Sequence, residues 1–369
     1  MTVAVNTTAM RSSAHGIGRY VGAMLAELLA ADSDRYVIYS TPAHFSRWKA
    51  LGAHRLRAAP SARGLRLLWE QLRLPALLRR EGAAVLWGPA HAIPIWRTSR
   101  QVLTVHDLTW FNFPSLHTRL KGAYFRAMLR IATRRADLIV ASSETTARDL
   151  ERILHVPPER IRTILLAPDA SFRPAPDVAR NHVRIAYDLP PRFILALGVV
   201  EPRKNLLTLV RAVEGLARAG QEVPLVIAGS LDYGWQKDEL LQAVKTSPAR
   251  VRLLGRVPEA DLAALISAAT VLAYVPVAEG FGLPVLESMA CGTPVVASTA
   301  PAIREVAGDA ALLVDAHDVE AMSEALGRVA RDASLQDRLR NSGFARAALF
   351  SWPAAAAALS AVFDELEKP

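Results

Sequence analysis

The chain has 369 residues, 51% of them hydrophobic, with 20 glycines, 23 prolines and one cysteine. Such a chain is globular, too long for one typical core, and has neither a disulfide framework nor a multi-thiolate zinc site. Its formal charge of +9 is uneven: residues 1–176 hold 25 Lys/Arg against 12 Asp/Glu, a balance of +13, and residues 177–369 hold 19 against 23, a balance of −4. A basic half beside a mildly acidic one predicts an anionic partner for one domain, and on charge alone nucleic acid and an anionic membrane face are both candidates. No run of 18 apolar residues is present, so no transmembrane helix is expected. The N-terminal Val3-Ala4-Val5 lacks a basic segment before it and reads as a first strand rather than a signal peptide, which predicts a cytoplasmic protein.

After that strand the chain reaches Gly16-Ile17-Gly18-Arg19-Tyr20, and a helix is predicted from Tyr20 onward. The glycines fall as G-x-G-x-x-x-G through Gly22, which is not the full dinucleotide fingerprint, so a plain helix start competes with a phosphate loop. Residues 36–39 form a second strand. Residues 63–80 interleave Leu65, Leu68, Trp69, Leu72, Leu77 and Leu78 with Arg63, Arg66, Arg73, Arg79 and Arg80 at roughly helical spacing, and Pro75 ends or kinks the helix. Such a segment either lies on an anionic membrane or packs its leucines on a sheet and leaves its arginines in solvent. A second basic cluster, Arg119, Arg126, Arg130, Arg134 and Arg135, falls on another helix. Residues 84–87 and 101–105 are strands, the second ending in His106-Asp107. A histidine at the carboxyl end of a parallel strand points toward the crevice where such folds bind ligands. Residues 138–141 form a strand that leads to a helix capped by Ser142 or Ser143. Three prolines within residues 168–177 mark the linker between a domain of residues 1–176 and one of residues 177–351.

The second half restarts the pattern. A strand at 193–197 runs into Gly198 and Glu201-Pro202-Arg203-Lys204-Asn205, where two adjacent cations suit a diphosphate; a helix follows. Strands at 226–229 and 251–254 come next, the latter entering Gly255-Arg256-Val257-Pro258-Glu259. The apolar run 271–277 reads as a buried parallel strand. It feeds Glu279-Gly280-Phe281-Gly282-Leu283-Pro284, with Pro284 at a helix start, Glu287 in the first turn, and Gly292 and Pro294 closing the helix. Gly280 and Gly282 let the backbone approach a ligand, and free amides with the helix dipole favour an anion. Glu279 and Glu287 would not bind phosphate, but they accept hydrogen bonds from hydroxyls. The combination suits a central diphosphate with a sugar on each side: a nucleotide sugar.

The spacing Glu279-x7-Glu287 resembles the signature of retaining GT-B glycosyltransferases of family 4, and the resemblance extends over nearly the whole chain. It implies an α/β protein of two doubly wound, Rossmann-like parallel-sheet domains facing across a cleft, with a C-terminal helix, residues 352–369, joined to the first. It also implies that Glu279 holds hydroxyls of the transferred sugar and Glu287 the ribose. The amides of Gly280, Phe281, Gly282 and Leu283 would face sugar and phosphate, Arg203 and Lys204 the diphosphate, and the backbone at Val257 the base. Gly16 and Gly18 would face the donor phosphates or the acceptor. His106 would bond the sugar or take the acceptor proton. The family's usual Asn-Gly-Val-Asp run before the hinge is here Ala167-Pro168-Asp169-Ala170. No cofactor beyond the donor is expected, and metal independence is expected on two grounds: the absence of an Asp-x-Asp motif, and cations Arg203 and Lys204 in the place of a metal.

Gly16-Ile17-Gly18-Arg19-Tyr20, Trp69-Glu70-Gln71 and Thr104-Val105-His106-Asp107-Leu108-Thr109 are together most similar to bacterial mannosyltransferases of surface polysaccharide assembly. That implies GDP-mannose as donor and a saccharide or polyprenyl-diphosphate-linked acceptor, at the inner face of the plasma membrane. The competing readings are an epimerase or phosphorylase of the same fold, the latter needing a pyridoxal lysine for which the sequence makes no case. A nucleic-acid-binding protein would lack any reading motif and leave Glu279 and Glu287 unexplained.

Overall fold

The computed structural model describes residues 1–10, 16–116, 118–231 and 236–367. It divides into two compact units, Met1–Leu166 with Ser351–Pro369, and Ala167–Phe350. The proline-rich residues 168–177 thus lie in the second unit, and residues 368–369 of the expected C-terminal helix lie outside the described residues.

The first unit is built on β1 (Thr2–Asn6), β2 (Tyr36–Ser40), β3 (Leu56–Ala58), β4 (Ala83–Gly88), β5 (Arg100–Val105), β6 (Leu138–Ala141) and β7 (Ile161–Thr163). They order as β3-β2-β1-β4-β5-β6-β7, every neighbouring pair parallel. Parallel strands need crossover helices, which cover both faces, so the central strands are continuous apolar runs. Leu74, Leu78 and Leu86 belong to one core cluster, and Leu103, Ile139 and Leu150 to another. Helix Trp352–Glu365, capped by Ser351, packs against helix Ile17–Ala31 in this unit, with Trp352 6.2 Å from Tyr20 and Phe363 6.0 Å from Trp87 between ring centres. Strand order reverses between β1 and β4, and Asn6 and Gly88 end those two strands at the crevice this reversal opens.

Residues 63–80 form two helices, Arg63–Leu72 and Leu74–Arg80, with Pro75 in the first turn of the second. Only the second packs its leucines on the sheet. Leu74 and Leu78 are buried on the sheet, but Leu65, Leu68 and Leu72 stand 62%, 61% and 67% exposed.

The second unit carries β8 (Ile194–Leu197), β9 (Leu225–Ala228), β10 (Val251–Gly255), β11 (Val271–Tyr274), β12 (Val295–Ser298) and β13 (Leu312–Val314). The order is β10-β9-β8-β11-β12-β13, again all parallel. The reversal now lies between β8 and β11. A Cβ on Gly229, just past β9, would sit 1.7 Å from the Gly198 carbonyl oxygen, just past β8. Only glycine lets these two loops touch at the carboxyl edge of the sheet.

One stretch, Ala333–Glu365, is long and apolar enough to cross a membrane by composition, with mean hydropathy 1.3. It is broken at 348–351 into helices of 15 and 14 residues. Each buries one side in its unit and is shorter than a bilayer needs.

Candidate active site

The reversal between β8 and β11 is where a ligand of such a sheet binds, and four side chains meet there. Arg203 and Lys204 come from a short 3-10 turn after β8, Tyr274 is the last residue of β11, and Glu279 follows in the next loop. Arg203 Nη1 donates to Glu279 Oε1 at 2.7 Å. Lys204 Nζ donates to Glu279 Oε2 at 2.5 Å and to the Tyr274 hydroxyl at 2.7 Å. Tyr274 in turn donates to Glu279 Oε2 at 2.7 Å, and Arg203 Nε is tied to Glu201 at 2.9 Å.

The loop is held in register by Asn205. In a left-handed conformation (φ 60°), it donates from Nδ2 to the carbonyls of Val275 and Ala316 at 3.2 and 2.6 Å. The Val277 amide donates to the Arg203 carbonyl at 2.9 Å, which stitches the two loops together.

Burial would raise the Glu279 carboxyl, but the charges of Arg203 and Lys204, with hydrogen bonds from Lys204 and Tyr274, outweigh it and hold the group far below the usual carboxylate range. The Lys204 ammonium is lowered by burial and by Arg203, against the pull of Glu279. Burial, and then the Glu279 charge, push the Tyr274 phenol well up, so it stays a neutral donor. Two cations share the site with two anions, Glu279 and the more exposed Glu201, and the Lys204 and Glu279 side chains are only 10% and 14% exposed. A diphosphate arriving here would meet two fixed cations with little water to screen them.

Beyond Glu279 the chain turns through Gly280, Phe281 and Gly282 into helix Leu283–Ala290. Gly282 has φ 114°, and a Cβ there would come 2.6 Å from Ile303 Cδ1. Phe281 is buried, its ring 6.1 Å from that of Phe350, so this residue offers a ligand its backbone. Glu287 is the fifth residue of the helix and therefore lies in its second turn, not the first as the sequence suggested, because Gly282 rather than a later residue caps the helix. It is 4% exposed. Val257, also buried, follows the carboxyl end of β10.

The remaining expected residues lie in the first unit. Gly16 caps helix Ile17–Ala31 with φ 48°, and Gly18 is buried in its first turn. His106 follows β5. Its Nε2 bonds the Pro89 carbonyl at 2.9 Å, and since a carbonyl only accepts, the hydrogen sits on Nε2 and Nδ1 keeps the lone pair. Desolvation, with the nearby His91, lowers this imidazole to about 4, so it is neutral at pH 7. The His106 ring packs edge-on to Tyr20 at 4.8 Å, and its carbonyl accepts from Ser142 and Thr146 at 2.8 and 3.2 Å. Asp107 Oδ1 accepts from the Thr109 amide and hydroxyl at 3.0 and 2.7 Å, which spends it on a local turn.

Sequence reasoning named Arg203, Lys204 and Glu279 but missed Tyr274, which ends an apolar strand and reads as core. Glu70, quoted within Trp69-Glu70-Gln71 but given no role of its own, is buried on helix Arg63–Leu72, where Asn6 Nδ2 donates to it at 3.1 Å. Burial lifts Glu70 to about 7, against the opposing Arg66 charge and Asn6 bond. An Asp-x-Asp run does occur, Asp32-Ser33-Asp34, so metal independence cannot rest on the motif's absence. It precedes β2 at the amino edge of the first sheet, where Asp32 caps a 3-10 turn and the exposed Asp34 pairs with His54 at 2.9 Å. Among the described residues no three His, Cys, Asp or Glu side chains are grouped to hold a metal ion.

The model of the family Glycosyltransferase Family 4 matches residues 14–171, and that of Glycosyl transferases group 1 matches residues 178–346. The structure is similar to that of HepE from Anabaena, solved with UDP and glucose, at a TM-score of 0.78, 16% identity and 99% coverage of both chains. The fold is GT-B, two Rossmann-like parallel-sheet domains. By sequence the chain is 35% identical over 269 residues to the O-antigen chain mannosyltransferase B of Escherichia coli, covering 72% of this chain and 70% of that one. It is 30% identical over 278 residues to the serotype-specific mannosyltransferase WbdA of Escherichia coli, covering 72% of this chain and 33% of the longer relative. The chain belongs to glycosyltransferase family 4, and it is a glycosyltransferase.

Proposed function

We propose that the protein is a retaining, metal-independent mannosyltransferase. It takes mannose from GDP-mannose and adds it to a saccharide, free or carried on a polyprenyl diphosphate, in cell-surface polysaccharide assembly. The observation that carries the reading is the Arg203, Lys204 and Glu279 cluster at the reversal of the second sheet. Two relatives that are mannosyltransferases by name support the choice of sugar.

In this reading the second unit binds the donor and the first unit the acceptor. Arg203 and Lys204 hold the diphosphate, together with the amides of Gly280, Phe281, Gly282 and Leu283. Glu279 accepts from hydroxyls of the mannose, Glu287 from the ribose, and the backbone at Val257 meets the base. The bond from the anomeric carbon to the β-phosphate oxygen breaks with its electrons going to the phosphate. The acceptor oxygen bonds that carbon and passes its proton to the departing phosphate oxygen. Charge develops on the leaving diphosphate, and each preorganised contact to it contributes about 3–4 kcal/mol. With two fixed cations in place, no metal ion is needed to stabilise the departing charge. His106, neutral with Nδ1 unprotonated, serves as a hydrogen-bonding group rather than as the proton acceptor. Gly16 and Gly18 open a helix suited to a phosphate of donor or acceptor.

The enzyme works on the cytoplasmic side, held reversibly at the inner face of the plasma membrane by its basic first unit. The exposed Leu65, Leu68 and Leu72, flanked by Arg63 and Arg73, support this. GDP release from GDP-mannose in excess EDTA tests the proposal. The rate should match that without EDTA, and Arg203→Ala and Lys204→Ala should each lower it at least ~100-fold. An absolute requirement for Mg2+ or Mn2+ would contradict it.

A further inference from the structure

The second unit has a cavity at the amino edge of its sheet, the edge opposite the donor loops. Its volume is about 630 Å3, and Arg192, Thr270 and Pro294 border it just before β8, β11 and β12. That size lies within the range of pockets that enclose small molecules.

Five arginines line it and no carboxylate does. Arg180 and Arg184 come from helix Asp177–Ala186, Arg192 from the turn before β8, Arg331 from the end of helix Val319–Arg331, and Arg340 from helix Ala333–Ala347. This gathering stands out in a half of the chain whose balance is −4. Two of the five are partly offset: Arg180 pairs with Asp177 and Arg340 with Asp337, both acids well exposed outside the lining. Arg184 is fixed by neutral acceptors alone, the carbonyls of Pro191 and Ala268 at 2.8 and 3.1 Å. Arg192 and Arg331 pair with no acid among the described residues. Like charges converging from four segments repel one another, and an anion between them removes that cost.

The rest of the lining is uncharged, with Ser267, Thr270 and Gln336 as its polar side chains. Ala268, Cys291 and Ala330 are buried, and the half-exposed Phe344 ring borders them. Burial pushes the Cys291 thiol up to about 12, so it remains neutral and no nucleophile competes with the binding reading. We propose that this cavity binds a phosphorylated small molecule at a site separate from the donor loops. The phosphate groups meet Arg184, Arg192 and Arg331, and the apolar part lies against Ala268, Ala330 and Phe344.

Calorimetric titration with inorganic pyrophosphate tests this in the Arg203→Ala/Lys204→Ala protein, where the donor loops have lost both cations. One equivalent should bind, and adding Arg192→Glu and Arg331→Glu should lower the affinity at least tenfold. Both of these side chains are exposed, so the fold should not change. Should the first pair of substitutions unfold the chain, wild-type protein serves. It should show two sites, of which Arg192→Glu/Arg331→Glu removes one. No binding in the donor-disabled protein, an affinity unmoved by the two glutamates, or a single wild-type site that they leave intact would each overturn the proposal.

Discussion

Glu279 occupies a position where charge and burial pull in opposite directions. Alone it would be costly to bury; with Arg203, Lys204 and Tyr274 on its two oxygens it stays ionised and fixes both cations. Removing one partner of a buried pair leaves the others unpaired and typically costs about 3–5 kcal/mol. Two substitutions should therefore grade charge against shape. Glu279→Gln, which keeps hydrogen-bonding atoms beside its partners but removes the charge, should unfold at lower urea and lose at least ~100-fold in turnover. Glu279→Ala should lose turnover and unfold at still lower urea. Near-normal transfer by Glu279→Gln would remove Glu279 from the reaction.

Glu70 gives a second test at this scale. Its folded pKa, about 7, lies above the ordinary 4.5, so the protonated form is favoured in the fold. Stability from this group is complete below pH 4.5 and is lost as the pH rises through 7. Glu70→Gln should thus raise the unfolding temperature at pH 8 and leave it unchanged near pH 4.5; an equal shift at both would contradict the assignment. Arg203, Lys204 and Glu279 were legible because adjacent charges beside glycines after an apolar run have few structural uses. Tyr274 and Glu70 were not, since a tyrosine closing a strand reads as core and a glutamate among arginines reads as solvated.

Among the elements, helix Arg63–Leu72 departs furthest from ordinary globular packing. Its apolar stripe of Leu65, Leu68 and Leu72 faces outward, and helix Arg119–Arg135 in the same unit adds Leu120 at 85% exposure and Tyr124 at 38%. Burying a leucine contributes about 1.5–3 kcal/mol, and a cation near an anionic lipid surface about 1 kcal/mol. Sedimentation with phosphatidylglycerol vesicles should occur at low salt and weaken at 1 M, where the Debye length is ~3 Å. Leu65→Ser/Leu68→Ser/Leu72→Ser should weaken it at either salt while leaving transfer to a soluble acceptor intact. Wild-type vesicle binding by the triple variant would end the membrane reading. Periodicity could find this helix but not say which side its leucines take, because a sequence carries no record of which face a sheet covers. The three-residue edge strands β3 and β7 escaped for another reason: each is too short to alternate, and Arg57 and Arg162 interrupt their apolar character.

For the molecule as a whole, the alternation of apolar strands with amphipathic helices carried the two-sheet architecture, because buried parallel strands admit few other residues. The donor loops were readable for the same reason, each directly following such a strand. The arginine-lined cavity was not: its lining runs from Pro174 to Phe344, and no local spacing links those residues until the chain has folded. Whether the loops carrying Arg203, Lys204 and Glu279 take a nucleotide-linked mannose is decided by a donor screen. Purified protein, in EDTA and with a mannose-bearing oligosaccharide acceptor, is offered GDP-mannose, UDP-glucose and ADP-glucose separately, and the products are weighed by mass spectrometry. GDP-mannose should give GDP and an acceptor heavier by one hexose, far faster than the other two donors react. No nucleotide release and no heavier acceptor from any of the three would contradict this reading of the loops.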